Sequence, residues 1–559
     1  MNGGEAVIAA LRSAGVSHVF GLLGSTTMEV YDALYDCADI KYVGVRDERA
    51  GVHMADTFGR VSGRPGVFLA GQAGPGAANM VTGLAQAKLA YSPVVAITGL
   101  ASSSHLGRDA FQEIDQQALF APVTKRTMSV PRADRIVEFI KEAFRIANSG
   151  RRGPVVVQIP RDLFAAEIEE QTADAFFPIE APVASIDEAS MDSLVEMLEK
   201  ASAPLIIAGA GIKWGRGSDR LAEAAQTLGI PVAASAGHGD VLPNDHPCYF
   251  GQVGPRGNPV ASRLARDADL IIALGTRLGF NTTFYTNDNL SPDADIVQID
   301  VEADAIGRYF PVSRGIVSDA GAFAAVLAKR AGAIRKHEGW AGWCASAAEE
   351  RTALWAKRDA EGNSDRTPLA AARVFREIRE ALPRDAIVTL DAGTMCLQAT
   401  DQLQYFQPPA LFSPLDFGLV GFSYAAGLGA KAAAPDRPVV SLMGDGGFAM
   451  TMAEITTAVS EGLSTVAVVL DNGCWGAEKA YQRDFYNGRF IGAEVPPIAY
   501  HTFAEMVGAD GYLVTEPGGL KDALSKALAS GRPSVIQVEV DPNAMISFRR
   551  DSFTHRVSS

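Results

Sequence analysis

The sequence is poor in cysteine, and it contains no long apolar run. Its five cysteines are scattered, odd in number and without a CxxC pair: Cys37, Cys248, Cys344, Cys396 and Cys474. Such a set favours a reducing compartment and argues against a disulfide framework or a zinc site. No apolar run approaches the roughly 18 residues of a membrane span, and residues 1–15 lack the basic and apolar pattern of a signal peptide. We therefore expect a cytoplasmic protein without a membrane partner.

Positive charge is also scarce. Lysine and arginine number 50 against 65 aspartate and glutamate residues, which gives a net charge of −15 and a pI of about 5.1. This balance disfavours nucleic acid and anionic membranes as partners, but a local cluster of basic side chains can still bind a small anionic substrate. With 559 residues, of which 47% are hydrophobic, the chain has enough apolar material for three domains.

Short β-branched runs alternate with longer helical patterns along the chain. This alternation predicts βαβ units and parallel sheets. It is interrupted at residues 166–192, which are acidic and proline-containing, and at residues 334–366, which are highly charged and have little strand character. Interpreted as linkers, these stretches leave domains near 1–165, 186–333 and 367–540, followed by a mildly basic tail at 541–559. The predicted fold is α/β, with three doubly wound parallel-sheet domains.

The most specific pattern joins two strand ends in the last domain. Asp445 lies in a Gly444–Gly447 turn directly after the apolar run Val439–Met443, and Asn472 follows the apolar run Val466–Leu470. If the two strands are neighbours in a parallel sheet, both polar side chains emerge at its carboxyl edge, where open α/β sheets bind ligands. Two oxygen donors beside a glycine-rich turn suit Mg²⁺ that carries a diphosphate.

Several other segments have an ordinary structural explanation when each is taken alone. They are Arg46–Gly51, Gly71–Gly76, Phe111–Asp115, Asp391–Thr394 and Phe417–Phe422. The acidic residues of the first segment can favour a helix N-terminus, the glycines can form turns or packed helices, and the third segment can be a polar loop. The backbone of Gly393 and Thr394 could instead donate N–H groups to a phosphate. From the residues alone, both interpretations stay open.

The Gly444–Asn472 spacing resembles the metal and diphosphate motif of thiamine diphosphate (ThDP) enzymes of the acetolactate synthase superfamily. The resemblance implies a pyrimidine-binding first domain, a central domain and a diphosphate-binding third domain. It places Glu48 where the family has the glutamate that hydrogen-bonds the aminopyrimidine ring, and it implies a catalytic role for Gln112 beneath the substrate. The implied cofactor contacts are Gly74, Gly393, Thr394, Val420, Gly444, Asp445, Gly446, Gly447, Asn472 and Trp475. The implied ligands of Mg²⁺ are Asp445, Asn472 and the backbone carbonyl of Cys474.

Two blocks resemble a narrower family, the sulfoacetaldehyde acetyltransferases. They are Trp475–Phe490, with its Trp-Gly-Ala-Glu-Lys and Asp-Phe-Tyr-Asn strings, and the tail string Phe548–Asp551. The resemblance implies conversion of sulfoacetaldehyde and phosphate to acetyl phosphate and sulfite. Both substrates are anions, so basic side chains are candidates for binding them: Arg108, Lys479, Arg489, Arg549 and Arg550. One departure is Asp471, which stands where the family usually has the first residue of an Asn-Asn pair.

Other activities stay open. An acetolactate-synthase-like carboligase would act on pyruvate or another 2-oxo acid, whereas a decarboxylase of the pyruvate decarboxylase type is disfavoured because none of the eight histidines forms a His-His pair. A non-catalytic ThDP-fold subunit is disfavoured by the presence of Glu48, Asp445 and Asn472 together. FAD is not expected, because the segment after Arg277 lacks the acidic pair of the FAD-binding relatives. The resemblance also implies a homodimer or homotetramer with sites between subunits.

Overall fold

Three parallel sheets organise the chain. The computed structural model describes residues 1–169, 183–544 and 546–547. Each of its three sheets has six strands, and helices alternate with the strands along the chain. The predicted α/β fold with three doubly wound parallel-sheet domains is therefore confirmed. Within the described residues, no helix has both the length and the apolar character needed to cross a bilayer.

The first sheet lies within the predicted domain 1–165. Its strands are β1 (His18–Leu22), β2 (Lys41–Gly44), β3 (Gly66–Ala70), β4 (Val94–Leu100), β5 (Arg126–Ser129) and β6 (Val155–Pro160). Its helices are α1 (Gly3–Ser13), α2 (Met28–Tyr35), α3 (Glu48–Ser62), α4 (Pro75–Asn79), α5 (Val81–Leu89), α6 (Gln116–Phe120), α7 (Ile136–Asn148) and α8 (Arg161–Ala165). The strand order β2-β1-β3-β4-β6-β5 reverses the winding direction between β1 and β3. The segments after β2 and β3 carry Glu48 and Gly74, so both lie at the carboxyl edge.

The second sheet lies within the predicted domain 186–333. Its strands are β7 (Pro204–Ala208), β8 (Val232–Ala234), β9 (Tyr249–Gln252), β10 (Leu270–Leu274), β11 (Asp295–Asp300) and β12 (Arg314–Val317). Its helices are α9 (Glu188–Lys200), α10 (Ala210–Trp214), α11 (Ser218–Leu228), α12 (Pro259–Asp267), α13 (Phe280–Thr283) and α14 (Ala320–Ala331). The strand order is β12-β11-β10-β7-β8-β9, with the reversal between β7 and β10.

The two predicted linkers differ in how much of them the structure describes. In the acidic segment at 166–192, residues 170–182 lie outside the described residues. The charged segment at 334–366 consists mostly of one long helix, α15 (Gly339–Glu361), which leads into the third domain.

The third sheet lies within the predicted domain 367–540. Its strands are β13 (Ile387–Leu390), β14 (Leu411–Phe412), β15 (Val439–Gly444), β16 (Val466–Asp471), β17 (Asp510–Val514) and β18 (Ser534–Glu539). Its helices are α16 (Ala371–Ala381), α17 (Thr394–Gln402), α18 (Ser423–Ala433), α19 (Asp445–Ala449), α20 (Ile455–Glu461), α21 (Gly476–Phe485), α22 (Tyr500–Met506) and α23 (Gly519–Ser530). In the order β14-β13-β15-β16-β18-β17, β15 and β16 are direct neighbours. The ends of the two predicted strands therefore lie side by side.

The first and third domains of the same chain pack closely against each other. Helix α3 lies on α18, so closely that a Cβ at Gly429 would lie 2.1 Å from the carbonyl oxygen of Met54. A single apolar core spans both domains. The contact continues toward Glu48, because the carboxylate of Glu454 accepts a hydrogen bond from the backbone N–H of Arg46 at 2.9 Å.

A buried ion pair of the central domain binds the backbone of the third domain. Lys213 Nζ donates to Asp240 Oδ1 and to the Leu411 carbonyl, each at 2.8 Å. The second oxygen of Asp240 accepts the backbone N–H groups of Ala410 and Leu411. Removing one partner of such a buried pair typically costs about 3–5 kcal/mol, because it leaves an uncompensated buried charge. The relative position of these two domains is therefore strongly constrained.

Candidate active site

A cavity of about 450 Å³ opens at the carboxyl edge of the third sheet. Its volume lies within the range of about 300–1,000 Å³ that is typical of small-molecule sites. The turns that follow β13, β15 and β16 form much of its wall. They bring together predicted cofactor contacts from separate parts of the domain: Gly393, Thr394, Val420, Gly444, Asp445, Gly446, Gly447, Asn472 and Trp475. Cys474 lines the same wall.

Asp445 begins α19 and is buried. Its Oδ1 accepts the backbone N–H of Gly446 at 2.8 Å, but its Oδ2 has no hydrogen-bond donor among the described residues. Burial, together with the neighbouring carboxylate of Asp471, raises the pKa of Asp445 to about 7. A buried carboxylate oxygen without a donor is costly unless it pairs with a cation. Asp445 therefore has the environment expected of a metal ligand.

Asn472 and Asp471 have different surroundings although they are adjacent. Asp471 Oδ1 accepts the N–H of Gly473 at 3.1 Å, and its Oδ2 accepts a hydrogen bond from Gln537 at 2.7 Å. Asn472 Oδ1 accepts the N–H of Cys474 at a longer 3.3 Å and lines the cavity. Asp471, which differs from the usual family residue, is thus held by hydrogen bonds from Gly473 and Gln537. Asn472, the predicted metal ligand, presents an amide oxygen at the cavity wall.

Asp391 also lines the cavity, although the sequence segment Asp391–Thr394 suggested a role only for the backbone of Gly393 and Thr394. It follows β13, is buried, and accepts the backbone N–H groups of Ala392 at 2.7 Å and Gly421 at 3.0 Å. These bonds hold the loop that carries Val420. The signal that could have identified it is positional, since Asp391 follows a strand of the same sheet edge as Asp445 does.

Two glycines leave no room for a side chain at the cavity wall. A Cβ at Gly446 would lie 2.8 Å from the indole ring of Trp475, and a Cβ at Gly447 would lie 2.8 Å from Asp391 Oδ2. The glycines therefore let the Asp445 turn pack directly on both neighbours.

These residues fit Mg²⁺ and a diphosphate. Asp445 offers a buried carboxylate oxygen without a protein donor, and Asn472 offers an amide oxygen on the same wall. Oxygen ligands of this kind suit Mg²⁺, which usually takes one or two protein carboxylates together with phosphate oxygens. The nine-residue helix α17 begins at Thr394 on the wall, where its first N–H groups can receive a phosphate. Because the described residues contain no cluster of three or more His, Cys, Asp or Glu side chains suited to a metal, a cation here would depend on mixed donors.

The predicted residues of the first domain form a second group. Glu48 is buried at the start of α3, and its Oε2 accepts a hydrogen bond from Asn79 Nδ2 at 2.9 Å. A Cβ at Gly74 would lie 2.3 Å from the carbonyl oxygen of Gln112, so these two segments are in contact. Gln112 has a φ of +64°, which is uncommon for a residue with a side chain. None of these residues lines the cavity of the third domain within the described chain.

Of the predicted anion-binding residues, the three that the structure describes do not line the cavity either. Arg108 and Arg489 are exposed, and Lys479 Nζ forms an ion pair with Glu494 at 2.7 Å. Arg549 and Arg550 lie outside the described residues. The cavity wall instead includes Arg256 of the central domain, which the sequence analysis did not select.

A second cavity lies at the reversal point of the central sheet. It measures about 250 Å³ and is lined by Gly211, Thr276, Arg277 and Asp300, among others. Part of its polar wall is already paired, because Arg151 donates to both oxygens of Asp300, at 3.2 and 2.7 Å. That FAD is not bound here stays a prediction.

A glutamate-bearing first domain and a third domain with a carboxylate and an amide at one sheet edge define the architecture of ThDP enzymes. The family comparison agrees: the thiamine pyrophosphate enzyme N-terminal TPP binding domain matches residues 1–119, the central domain matches 191–327, and the C-terminal TPP binding domain matches 391–538. The chain belongs to the thiamine pyrophosphate enzyme family, thiamine pyrophosphate being another name for ThDP. The predicted family is thereby confirmed.

Curated relatives match over nearly the whole chain. A sulfoacetaldehyde acetyltransferase of Alcaligenes xylosoxydans xylosoxydans is 35% identical, and one of Castellaniella defragrans is 33% identical; each alignment covers 100% of this chain and 96% of the relative. A probable acetolactate synthase large subunit of Methanocaldococcus jannaschii is 31% identical, over 97% of this chain and 92% of that protein. The predicted class, a ThDP-dependent acyltransferase, is confirmed by the family domains and these relatives.

Proposed function

We propose that this protein uses ThDP and Mg²⁺ to convert sulfoacetaldehyde and phosphate into acetyl phosphate and sulfite. The observation that carries the proposal is the full-length similarity to sulfoacetaldehyde acetyltransferases. The cavity supports it, because the donor-free Asp445 oxygen and the Asn472 amide line one wall. ThDP, when bound, supplies the electron sink that the bond cleavage requires.

The chain's own residues would bind and orient the reactants. Asp445, Asn472 and the Cys474 carbonyl would hold Mg²⁺, while the backbone at Gly393 and Thr394 would donate to phosphate oxygens. Val420, fixed by the bonds from Asp391 to its loop, would support the cofactor rings. Glu48 would hold a proton at the aminopyrimidine ring, where a buried carboxyl group can act in acid–base catalysis.

The direct test is product analysis with the purified protein. Sulfite release from sulfoacetaldehyde should require ThDP, Mg²⁺ and phosphate together. Asp445→Asn, which removes a proposed Mg²⁺ ligand, should abolish this Mg²⁺-dependent release. Absence of sulfite release by the folded, ThDP-loaded wild type would contradict the proposal.

A second candidate function is carboligation of pyruvate or another 2-oxo acid. It is favoured by the similarity to acetolactate synthase large subunits, including the 31% identical relative of Methanocaldococcus jannaschii. Acetolactate formation from pyruvate, without sulfite release from sulfoacetaldehyde, would select this function.

We further propose that the active site forms between two copies of the chain, in a homodimer or a dimer of dimers. The Glu48 group and the cavity of the third domain are separate within one chain, so neither site is complete alone. Large apolar side chains are exposed on the segments that would meet: Leu23 at 59%, Phe111 at 91%, Phe417 at 44% and Ile491 at 82%. If these side chains form one contiguous patch, it would have the character of an interaction surface.

A complementation experiment tests the shared site. Glu48→Gln and Asp445→Asn chains, each inactive alone, are co-expressed with different tags and purified together. If the site is shared, one of the two sites in each mixed dimer is intact. About half of the dimers in a random mixture are mixed, so the activity should return to about a quarter of wild type. No recovery in a verified mixed dimer would place both residues in the same subunit's site.

We also propose a cytoplasmic location and no nucleic-acid or membrane partner. None of the five cysteines forms a disulfide, which suits a reducing compartment. Recovery of the protein in the soluble cytoplasmic fraction is the expected outcome of cell fractionation.

A further inference from the structure

The charge of the cavity wall is unbalanced. Four acidic residues line it: Asp391, Asp416, Asp445 and Glu478. Among the described residues of the wall, only Arg256 carries a positive side chain. Among the described residues, an anionic substrate that enters this cavity therefore meets one fixed cation on the wall, and it comes from the central domain.

A tight loop holds Arg256 in place. The backbone N–H of Asn258 donates to the Gln252 carbonyl at 2.7 Å and closes the loop. A Cβ at Gly257 would lie 2.2 Å from that same carbonyl oxygen, and Gly254 has a φ of +128°, so both positions require glycine. The loop is preorganised, which reduces the entropy lost when a ligand binds.

The loop is also tied to the third domain. Gln252, at the end of β9, donates through Nε2 to the carbonyl of Thr400 in α17. Its Oε1 accepts the N–H of Gly237 at 2.6 Å. Because α17 begins at Thr394 on the cavity wall, this contact ties the Arg256 loop to an element of that wall.

Aromatic packing orients the guanidinium group. The Arg256 Cζ lies 4.9 Å from the centre of the Phe284 ring, which stacks on Phe280 with ring centres 4.8 Å apart. Nε and Nη2 of Arg256 are buried. A planar guanidinium that is partly dehydrated and held on an aromatic face is well suited to charge-assisted bonds with oxyanions.

We propose that Arg256 binds the oxyanion of an acyl-transfer substrate, either the sulfonate of the donor or the phosphate acceptor. The inference rests on the proposed function for the identity of these anions. The cofactor's own diphosphate is assigned to other residues of the wall, Asp445 and Asn472. Arg256 would thus determine substrate specificity without holding the cofactor.

The test compares Arg256→Met and Arg256→Lys with wild type. The control is Arg266→Gln, which removes an exposed positive charge on α12 outside the cavity wall. Loss of a charge-assisted hydrogen bond predicts a KM for the bound anion that is about 10- to 100-fold higher in Arg256→Met. Arg256→Lys should give a smaller increase, because it keeps the charge but loses the planar fork. ThDP affinity should change by less than about twofold in all three variants.

The KM values for sulfoacetaldehyde and for phosphate, measured separately, show which of the two anions Arg256 binds. A rise confined to sulfoacetaldehyde assigns Arg256 to the donor, and a rise confined to phosphate assigns it to the acceptor. Unchanged KM values for both, in variants that bind ThDP normally, overturn the proposal, and so does an equal effect of Arg266→Gln.

A binding measurement keeps this test independent of turnover. Isothermal titration of the ThDP- and Mg²⁺-loaded protein uses 2-hydroxyethanesulfonate, an unreactive sulfonate, and inorganic phosphate. Wild type should bind at least one of them, and Arg256→Met should weaken that binding about 10-fold or more. If wild type binds an anion through Arg256 but releases no sulfite, the proposed reaction fails while the anion site stands. Equal binding by wild type and Arg256→Met contradicts the anion site.

Discussion

Glu454 provides a quantitative test of how the first and third domains are joined. Its side chain is 1% exposed, and its two oxygens accept the Arg46 N–H at 2.9 Å and the Thr457 hydroxyl at 2.7 Å. Burial raises the pKa of Glu454 from 4.5 to about 7, although both hydrogen bonds and the Arg46 charge oppose this rise. We consider the substitution Glu454→Gln, which keeps the shape of the side chain but cannot ionise.

The sign of the effect follows from proton binding. Between pH 4.5 and about 7 the folded protein retains a proton that the unfolded chain releases, so this group's contribution to stability falls as the pH rises through that window. At 1.36 kcal/mol per pKa unit, the full penalty on the ionised form is about 3 kcal/mol above pH 7. Glu454→Gln avoids this penalty but loses one acceptor, which costs about 1 kcal/mol. Relative to wild type, the variant should therefore be more stable by about 1 kcal/mol at pH 6 and by about 2 kcal/mol at pH 8.5, a rise of about 1–1.5 kcal/mol across this range.

The assay is calorimetric unfolding of both proteins from pH 6 to pH 8.5, a range that avoids precipitation near the pI of about 5.1. A multidomain chain need not unfold in two states, so the quantity compared is the difference in apparent unfolding temperature at each pH. Glu454→Ala is the control, because it leaves two buried donors without an acceptor and should destabilise at every pH. A difference between Glu454→Gln and wild type that does not change with pH would refute the reasoning.

Three further predictions concern single side chains. Asp445→Asn should weaken Mg²⁺-dependent ThDP binding more than about tenfold, measured by titration, since even residues behind a metal ligand contribute that much; normal affinity would exclude Asp445 as a ligand. Gly446→Ala places a Cβ 2.8 Å from the indole ring packed on it and should cost about 1–3 kcal/mol in the free energy of unfolding. Gly444→Ala meets no described atom within 4 Å and should leave the free energy of unfolding unchanged. The hydrogen bond from the Cys248 thiol, aided by a nearby arginine, lowers the pKa of Cys344 to about 7. The alkylation rate of Cys344, measured by peptide mass spectrometry, should therefore rise as the pH passes 7. A steep rise only above pH 8.5 would contradict this.

The proximity of Asp445 and Asn472 was predictable because its geometry is local to one sheet. Asp445 and Asn472 each follow an apolar strand, and the carboxyl ends of neighbouring parallel strands meet at one edge. Only the adjacency of the two strands had to be assumed. The same rule applies to Asp391, which directly follows β13. From the sequence alone, however, a single aspartate beside a glycine is explained equally well as a turn residue.

The cationic side of the cavity was not predictable in this way. Arg256 reaches the wall because the central domain is joined to the third domain through contacts such as those of Lys213 and Asp240 with the backbone of Leu411. These residues are far apart in sequence and form no periodic pattern. Lys479 lies close to the metal motif in the sequence and pairs with Glu494; its role in binding an anion stays a prediction.

The central claim is most directly tested by the ratio of products from the wild-type protein loaded with ThDP and Mg²⁺. Sulfoacetaldehyde and phosphate should yield sulfite and acetyl phosphate in equal amounts, and omission of phosphate should suppress acetyl phosphate. Acetolactate formation from pyruvate, with no sulfite released from sulfoacetaldehyde, would contradict it.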